Sequence, residues 1–238
     1  MSTKPFQCKE FTILQDKTAM KVGTDGVLLG AWAELNENLK SILDIGTGTG
    51  LIALQIAQRI DCETIDALEI ESNAFEQAVE NFENSDWRDR LFCYHTSLQE
   101  FANEIEEKYD LIISNPPYYN DTFKNIENKR ALARHTVTLS FNALLSSSAK
   151  LLSEFGTCAF IVPYKEEDVF IKIAKDNKLF PQRITRVRGN INTNFKRSLL
   201  QFSFSNLNPA IDELAIEIER HVFTEKYKNL VKDFYINL

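Results

Sequence analysis

Asn115-Pro116-Pro117-Tyr118 is the stretch of this chain best suited to chemistry. An exocyclic amine on an aromatic ring is a poor nucleophile because its lone pair is delocalised into the ring. Two acceptors that take both amino hydrogens draw the nitrogen towards a tetrahedral shape and restore that lone pair. Asn115 supplies a side-chain carbonyl and Pro116 a backbone carbonyl, aimed by two successive residues whose φ is held at about −65°. Tyr118 adds a flat ring on which an extruded base can stack. In-line attack on a donor carbon then depends mainly on positioning. A plain Pro-Pro turn with a packing tyrosine is the competing reading, and the elements around the turn argue against it.

Those elements alternate. Residues 41–45 read as a strand, followed by a glycine-rich turn and a helix over 51–59. Residues 64–68 read as a strand and 72–82 as a helix, with further strands at 91–94, 109–114 and 158–162. Strands alternating with helices imply βαβ units, right-handed crossovers and a doubly wound α/β fold with a mainly parallel sheet. Residues 184–188 and 198–204, joined by 189–194 with no helix between them, predict an antiparallel hairpin near the end. Alternation over 11–22 around Gln15-Asp16-Lys17 predicts a short hairpin at the start, before a helix opening at Thr24-Asp25-Gly26. The expected organisation is a single domain: an extension over 1–40, a core over 41–205 and an amphipathic helical tail over 206–238.

Asp44-Ile45-Gly46-Thr47-Gly48-Thr49-Gly50 stands at the end of the first core strand, where open α/β sheets bind ligands. The dinucleotide fingerprint would place its last glycine where Leu51 stands, so the spacing suits a pyrophosphate badly. It resembles instead the D-x-G-x-G-x-G loop of methyltransferases. Glu69 ends the next strand, placed to accept hydrogen bonds from a ribose diol, while Glu71 reads as a solvated helix-start residue. Ser97, at the third strand end, has two open readings: a contact to an adenine, or a helix cap completed by Glu100.

A parallel sheet that ends in an antiparallel hairpin resembles the seven-stranded, Rossmann-like class I methyltransferases, which implies S-adenosylmethionine as cofactor. The segment from Met20 to Trp32, Arg130-Ala131-Leu132-Ala133-Arg134-His135, Thr224-Glu225-Lys226-Tyr227 and Phe234-Tyr235 narrow the likeness. Together with the Asn115–Tyr118 turn they resemble the bacterial tRNA1(Val) (adenine-37-N6)-methyltransferase family over nearly the whole chain. The resemblance implies methyl transfer to the N6 of an adenine beside the anticodon. It implies a cofactor site at Thr24, Asp44, Gly46, Gly48, Gly50, Glu69, Ser97 and Asn115, and RNA contacts at Tyr118, Arg134 and His135. The same turn also occurs in protein glutamine methyltransferases and in other nucleic-acid amino-methyltransferases. Those would ordinarily carry an additional substrate-recognition domain, and only residues 1–40 precede the first core strand here. A cofactor-binding module without catalysis is the reading furthest from these, and the intact Asn115–Tyr118 turn opposes it.

Charge placement gives independent support. The chain carries a net charge of −7, which opposes broad electrostatic coating of nucleic acid. Yet residues 178–210 contain no acid and do contain Lys178, Arg183, Arg186, Arg188, Lys196 and Arg197 beside Phe195. Arg186, Arg188, Lys196 and Arg197 are therefore expected to contact RNA phosphates and bases, with a solvated loop as the bland alternative. The partner expected is tRNA. Cys8, Cys62, Cys93 and Cys158 form no C-x-x-C pair and read as reduced thiols, so no metal is expected. No apolar run reaches membrane-spanning length and the first eight residues lack a secretory pattern, so a cytoplasmic protein is expected, with a monomer favoured.

Overall fold

Branched apolar runs at β3 (Ser41–Ile45), β4 (Thr64–Glu69) and β6 (Tyr109–Ser114) form strands buried on both faces, as a parallel sheet sandwiched by helices requires. The computed structural model describes residues 4–116 and 139–237. Two short strands, β1 (Phe6–Gln7) and β2 (Thr12–Ile13), precede α1 (Thr24–Trp32). After β3 come α2 (Leu51–Arg59), β4, α3 (Ser72–Glu83), β5 (Leu91–His95), α4 (Leu98–Glu104) and β6. Beyond the site turn follow α5 (Phe141–Leu151), β7 (Leu152–Pro163), α6 (Glu167–Asp176), β8 (Phe180–Asn190) and β9 (Phe195–Ser203). The chain closes with β10 (Ala210–Glu219), β11 (Val222–Phe223) and α7 (Glu225–Val231).

Nine strands make one sheet in the order β11-β10-β8-β9-β7-β6-β3-β4-β5. From β5 to β7 neighbours are parallel; β9 runs antiparallel to β7 and β8, as the hairpin reading expects. The chain winds from β3 out to β5, then returns to β6 on the other side of β3. That reversal opens a crevice at the carboxyl ends of β3 and β6.

Alternate residues serve opposite layers. Ile42, Ile113, Ile161 and Leu199 pack with Trp32, Leu54 and Val231 on one face. Leu43, Ile112, Phe160 and Leu200 pack with Phe101, Leu145 and Phe170 on the other. At about 25 cal/mol per Å² of apolar area removed from water, these two layers supply the main drive for folding.

Two expectations need correction. The starting hairpin pairs Phe6 with Ile13, upstream of the predicted turn, and residues 14–23 form an extended strap outside any strand. Side chains satisfy the strap's backbone in place of a second strand: Asn81 accepts from Leu14 N at 2.8 Å and donates to Leu14 O at 2.9 Å, and Gln77 accepts from Lys17 N at 2.8 Å. The tail begins as a strand where a helix was predicted. Leu214, Ile216 and Ile218 alternate with Ala215, Glu217 and Glu219, a period of two. β10 pairs in parallel with β8, so the sheet has nine strands where seven were predicted, and only α7 keeps the helical reading.

Candidate active site

The loop between β3 and α2 needs three residues in left-handed backbone geometry, and glycines occupy them: Gly46 at φ 69°, Gly48 at φ 59° and Gly50 at φ 84°. At Gly50 the requirement is double, since an added Cβ would stand 2.5 Å from Phe82 Cε1. Gly46 N and Thr47 N both donate to Leu68 O, at 2.9 and 3.0 Å, which fastens the loop to the end of β4. Beneath it the Thr47 hydroxyl donates to Asp44 Oδ2 at 2.6 Å. Burial pushes the Asp44 carboxyl up to about 7, against the Thr47 bond that favours its ionised form.

Glu69 closes the loop from the other side. Its Oε2 accepts from Gly48 N at 2.9 Å, and its Oε1 from Ile70 N and Glu71 N at 2.8 Å each. A carboxylate has about four lone-pair positions, so these donors leave one, on Oε2. Glu71 serves differently: it caps α3, accepting from Asn73 N and Ala74 N. Ser97 makes the cap, and it also lines the cleft. Its hydroxyl accepts from Glu100 N at 3.2 Å and donates to Glu100 Oε2 at 2.7 Å, a complete capping box on α4.

Around this loop lies a cleft of about 390 Å³, within the range of small-ligand and cofactor sites. Gly46, Gly48, Glu69, Ser97 and Asn115 all line it. Among the described residues, chain neighbours aside, no atom stands within 4 Å of where a Cβ would be at Gly46 or Gly48, so the backbone there is open to a close-lying ligand. Asn115 follows β6 directly, and the Ser114 hydroxyl donates to Ile45 O at 2.7 Å, holding that strand end against β3. The residues fit S-adenosylmethionine: Glu69 presents an acceptor for a ribose hydroxyl, and the exposed apolar side chains of Met20 and Ile70 offer surface to an adenine.

Three residues assigned to the cofactor do not line the cleft. Thr24 opens α1 behind Gly23, which does line it; Asp44 lies under the loop bracing Thr47; Gly50 caps α2 against Phe82. Among the wall residues that the sequence does not point to are Thr18 to Gly23 of the strap, Ile70, Leu98 and Leu139. The available signal for the strap was the pair Gln77 and Asn81, amides on the inner face of an amphipathic helix that required partners. Pro116 is buried at the end of the described strand exit, whereas Pro117, Tyr118, Arg134 and His135 lie outside the described residues.

The basic window is corrected more substantially. Arg186 forms a two-pronged ion pair with Glu167, Nη2 to Oε1 at 2.7 Å and Nε to Oε1 at 3.0 Å, and the Ser198 hydroxyl donates to the same carboxylate. Arg188 pairs with Glu213, and Arg197 Nε with Asp25 Oδ2 at 2.6 Å. The acids missing from the window arrive from α6, β10 and α1. Of the four cations assigned to RNA, Lys196 is exposed and has no carboxylate partner among the described residues.

A sheet with this order, a glycine loop with left-handed backbone and an acid at the next strand end together define the class I methyltransferase fold. A solved protein from Agrobacterium tumefaciens, described as a predicted O-methyltransferase, shares it with a TM-score of 0.69 at 16% identity, covering 88% of this chain and 96% of that one. The family model of the methyltransferase small domain matches residues 23–161. The tRNA1(Val) (adenine(37)-N6)-methyltransferase of Christiangramia forsetii is 56% identical over 100% of both chains. That of Flavobacterium johnsoniae is 54% identical over 98% of this chain and 100% of its own. The chain belongs to the methyltransferase small domain family, among the tRNA1(Val) (adenine(37)-N6)-methyltransferases. Among the described residues no cluster of His, Cys, Asp or Glu is arranged to hold a metal, and no helix is long and apolar enough to cross a membrane.

Proposed function

We propose that this chain transfers a methyl group from S-adenosylmethionine to the exocyclic N6 of adenine 37 in a valine tRNA. The single observation that carries this reading is Asn115 in the wall of the cleft that also holds the glycine loop and Glu69. The bound cofactor supplies an electrophilic methyl carbon on a sulfonium. Glu69 takes one ribose hydroxyl on the lone pair of Oε2 that remains; gripping both hydroxyls requires one of its backbone donors to yield. Asn115 Oδ1 and the Pro116 carbonyl accept the two amino hydrogens of the adenine and point the nitrogen lone pair at the cleft. Tyr118 is assigned to stacking on the extruded base, and Arg134 with His135 to the RNA. Once methylated, the nitrogen is cationic and loses its proton to solvent, so no side-chain base is required.

The test is methylation of tRNA from a strain lacking the enzyme, using labelled cofactor followed by digestion to nucleosides. Label in N6-methyladenosine from valine tRNA is the expected result. Label in any other nucleoside, or in protein alone, refutes the assignment.

A further inference from the structure

Beyond the cleft, at the same end of the sheet, two aromatic rings and two guanidinium groups lie against one another. Ser114 is in register with Phe160 on β7, and Pro163 on β7 with Arg197 on β9, so Tyr164 and Phe195 lie past the carboxyl end of β6 on the Asn115 side. Their rings are 5.2 Å apart and tilted at 55°. Arg186 lies 5.7 Å from the Tyr164 ring and Arg188 4.5 Å from the Phe195 ring, both within cation–π range. Tyr164 is 37% exposed. Nothing in the catalytic assignment uses this surface.

Its electrostatics decide what it can bind. Glu167 and Glu213 neutralise the two guanidinium groups and hold them against the rings, so the surface offers flat π faces with little net charge. A phosphate finds no unpaired guanidinium there, whereas an unstacked base finds aromatic and guanidinium planes. Exposed Lys196, adjacent to Phe195, is a charge suited to the intervening backbone.

We infer that Tyr164 and Phe195, backed by Arg186 and Arg188, form a stacking platform for single-stranded nucleotides flanking the target adenine. This rests on the reading that the substrate is RNA. The platform holds loop nucleotides in place while the target base is extruded towards Asn115, so it acts as a positioning surface with no part in the chemistry.

The experiment uses the full chain and an RNA hairpin carrying 2-aminopurine beside the target adenine, read by fluorescence quenching, together with tRNA methylation kinetics. Tyr164→Ala and Phe195→Leu should each relieve the quenching and raise the KM for tRNA about ten-fold. The cofactor Kd and kcat should be unchanged, and the salt slope of binding should match wild type because no phosphate contact is lost. Phe195→Leu preserves apolar packing, and Tyr164→Phe and Phe195→Tyr should retain wild-type behaviour. Lys196→Ala should lower the salt slope by about one. Unchanged quenching and KM in Tyr164→Ala and Phe195→Leu would overturn the platform, as would a loss shared equally by cofactor affinity. A wild-type enzyme that binds the hairpin but methylates no tRNA would instead sink the functional reading beneath it.

Discussion

The two halves of the sheet handle polarity by opposite means. In the parallel half, from β5 to β6, several polar groups around the cleft are satisfied by backbone: Glu69 by three amides, the glycine loop by Leu68 O, Ser114 by Ile45 O. In the far half, from β9 to β10, cations are satisfied by side-chain acids brought from α1, α6 and β10. The glycine loop takes its shape from neighbouring residues, while its fastenings join Gly48 to Glu69 across 21 positions and Ile45 to Ser114 across 69. The ion pairs of the far half join residues 19, 25 and 172 positions apart, each acid lying on a different element from its arginine. The halves therefore differ in the kind of partner, main chain around the cleft and acidic side chains on the far surface, although both are closed by contacts between separate elements.

That contrast can be broken at several points, the strongest first. Asn115→Ala removes one of two acceptors aimed at the amine and should lower kcat on the order of 10²–10³-fold, with the cofactor Kd from calorimetry little changed. Survival of turnover would show that the parallel half does not hold the reacting group. Glu167→Ala leaves the Arg186 guanidinium unpaired beside a buried site and should destabilise the fold by about 3 kcal/mol in urea unfolding. Glu213→Ala breaks a far more exposed pair and should cost about 1 kcal/mol or less. Equal losses for the two acids would remove the claim that one ion pair is structural and the other superficial.

Glu69→Gln loses charge-assisted bonds and should weaken cofactor binding about 10–100-fold while the melting temperature moves modestly. Asp44 supplies a pH test of the same half. Its carboxyl is raised from the ordinary 3.8 to about 7 in the folded state, so the folded chain binds more protons than the unfolded one across that window. Stability from this group is therefore full below the unfolded value and falls as pH rises, by up to about 1.4 kcal/mol per unit, until the folded value is passed. Asp44→Asn should flatten that dependence, measured as the difference in unfolding free energy from wild type between pH 5 and pH 8. A parallel pH dependence in both proteins would show that Asp44 ionises freely beneath the loop.

Which features were legible follows the same division. Strand-loop-helix periodicity and three glycines at alternate positions announce the cleft directly, because the φ angles they permit are properties of those residues themselves. Glu69 was readable because a strand end places its side chain at a known edge. Ser97 carries two readings because a residue at a strand end before a helix can both cap the helix and face the cleft, and here the Glu100 contacts form the cap. The strap escaped detection because its hydrogen-bond partners are side chains of α3, far away in sequence. The sequence predicts a helix over β10 because charged residues mask its period of two, and its partner strand lies on the other side of a hairpin.

The sequence by itself determined the turn chemistry of the glycine loop, the acid at the neighbouring strand end, the alternation that makes the sheet, and the family. Each of these depends on residues within one or two elements, where local sterics and hydrogen bonding dominate. Only the tertiary structure decided which arginines carry an acid, what walls the cleft, and how far the sheet extends. Those outcomes depend on which distant groups meet, and desolvated charges and unpaired backbone groups find their partners only when the whole chain has closed around them.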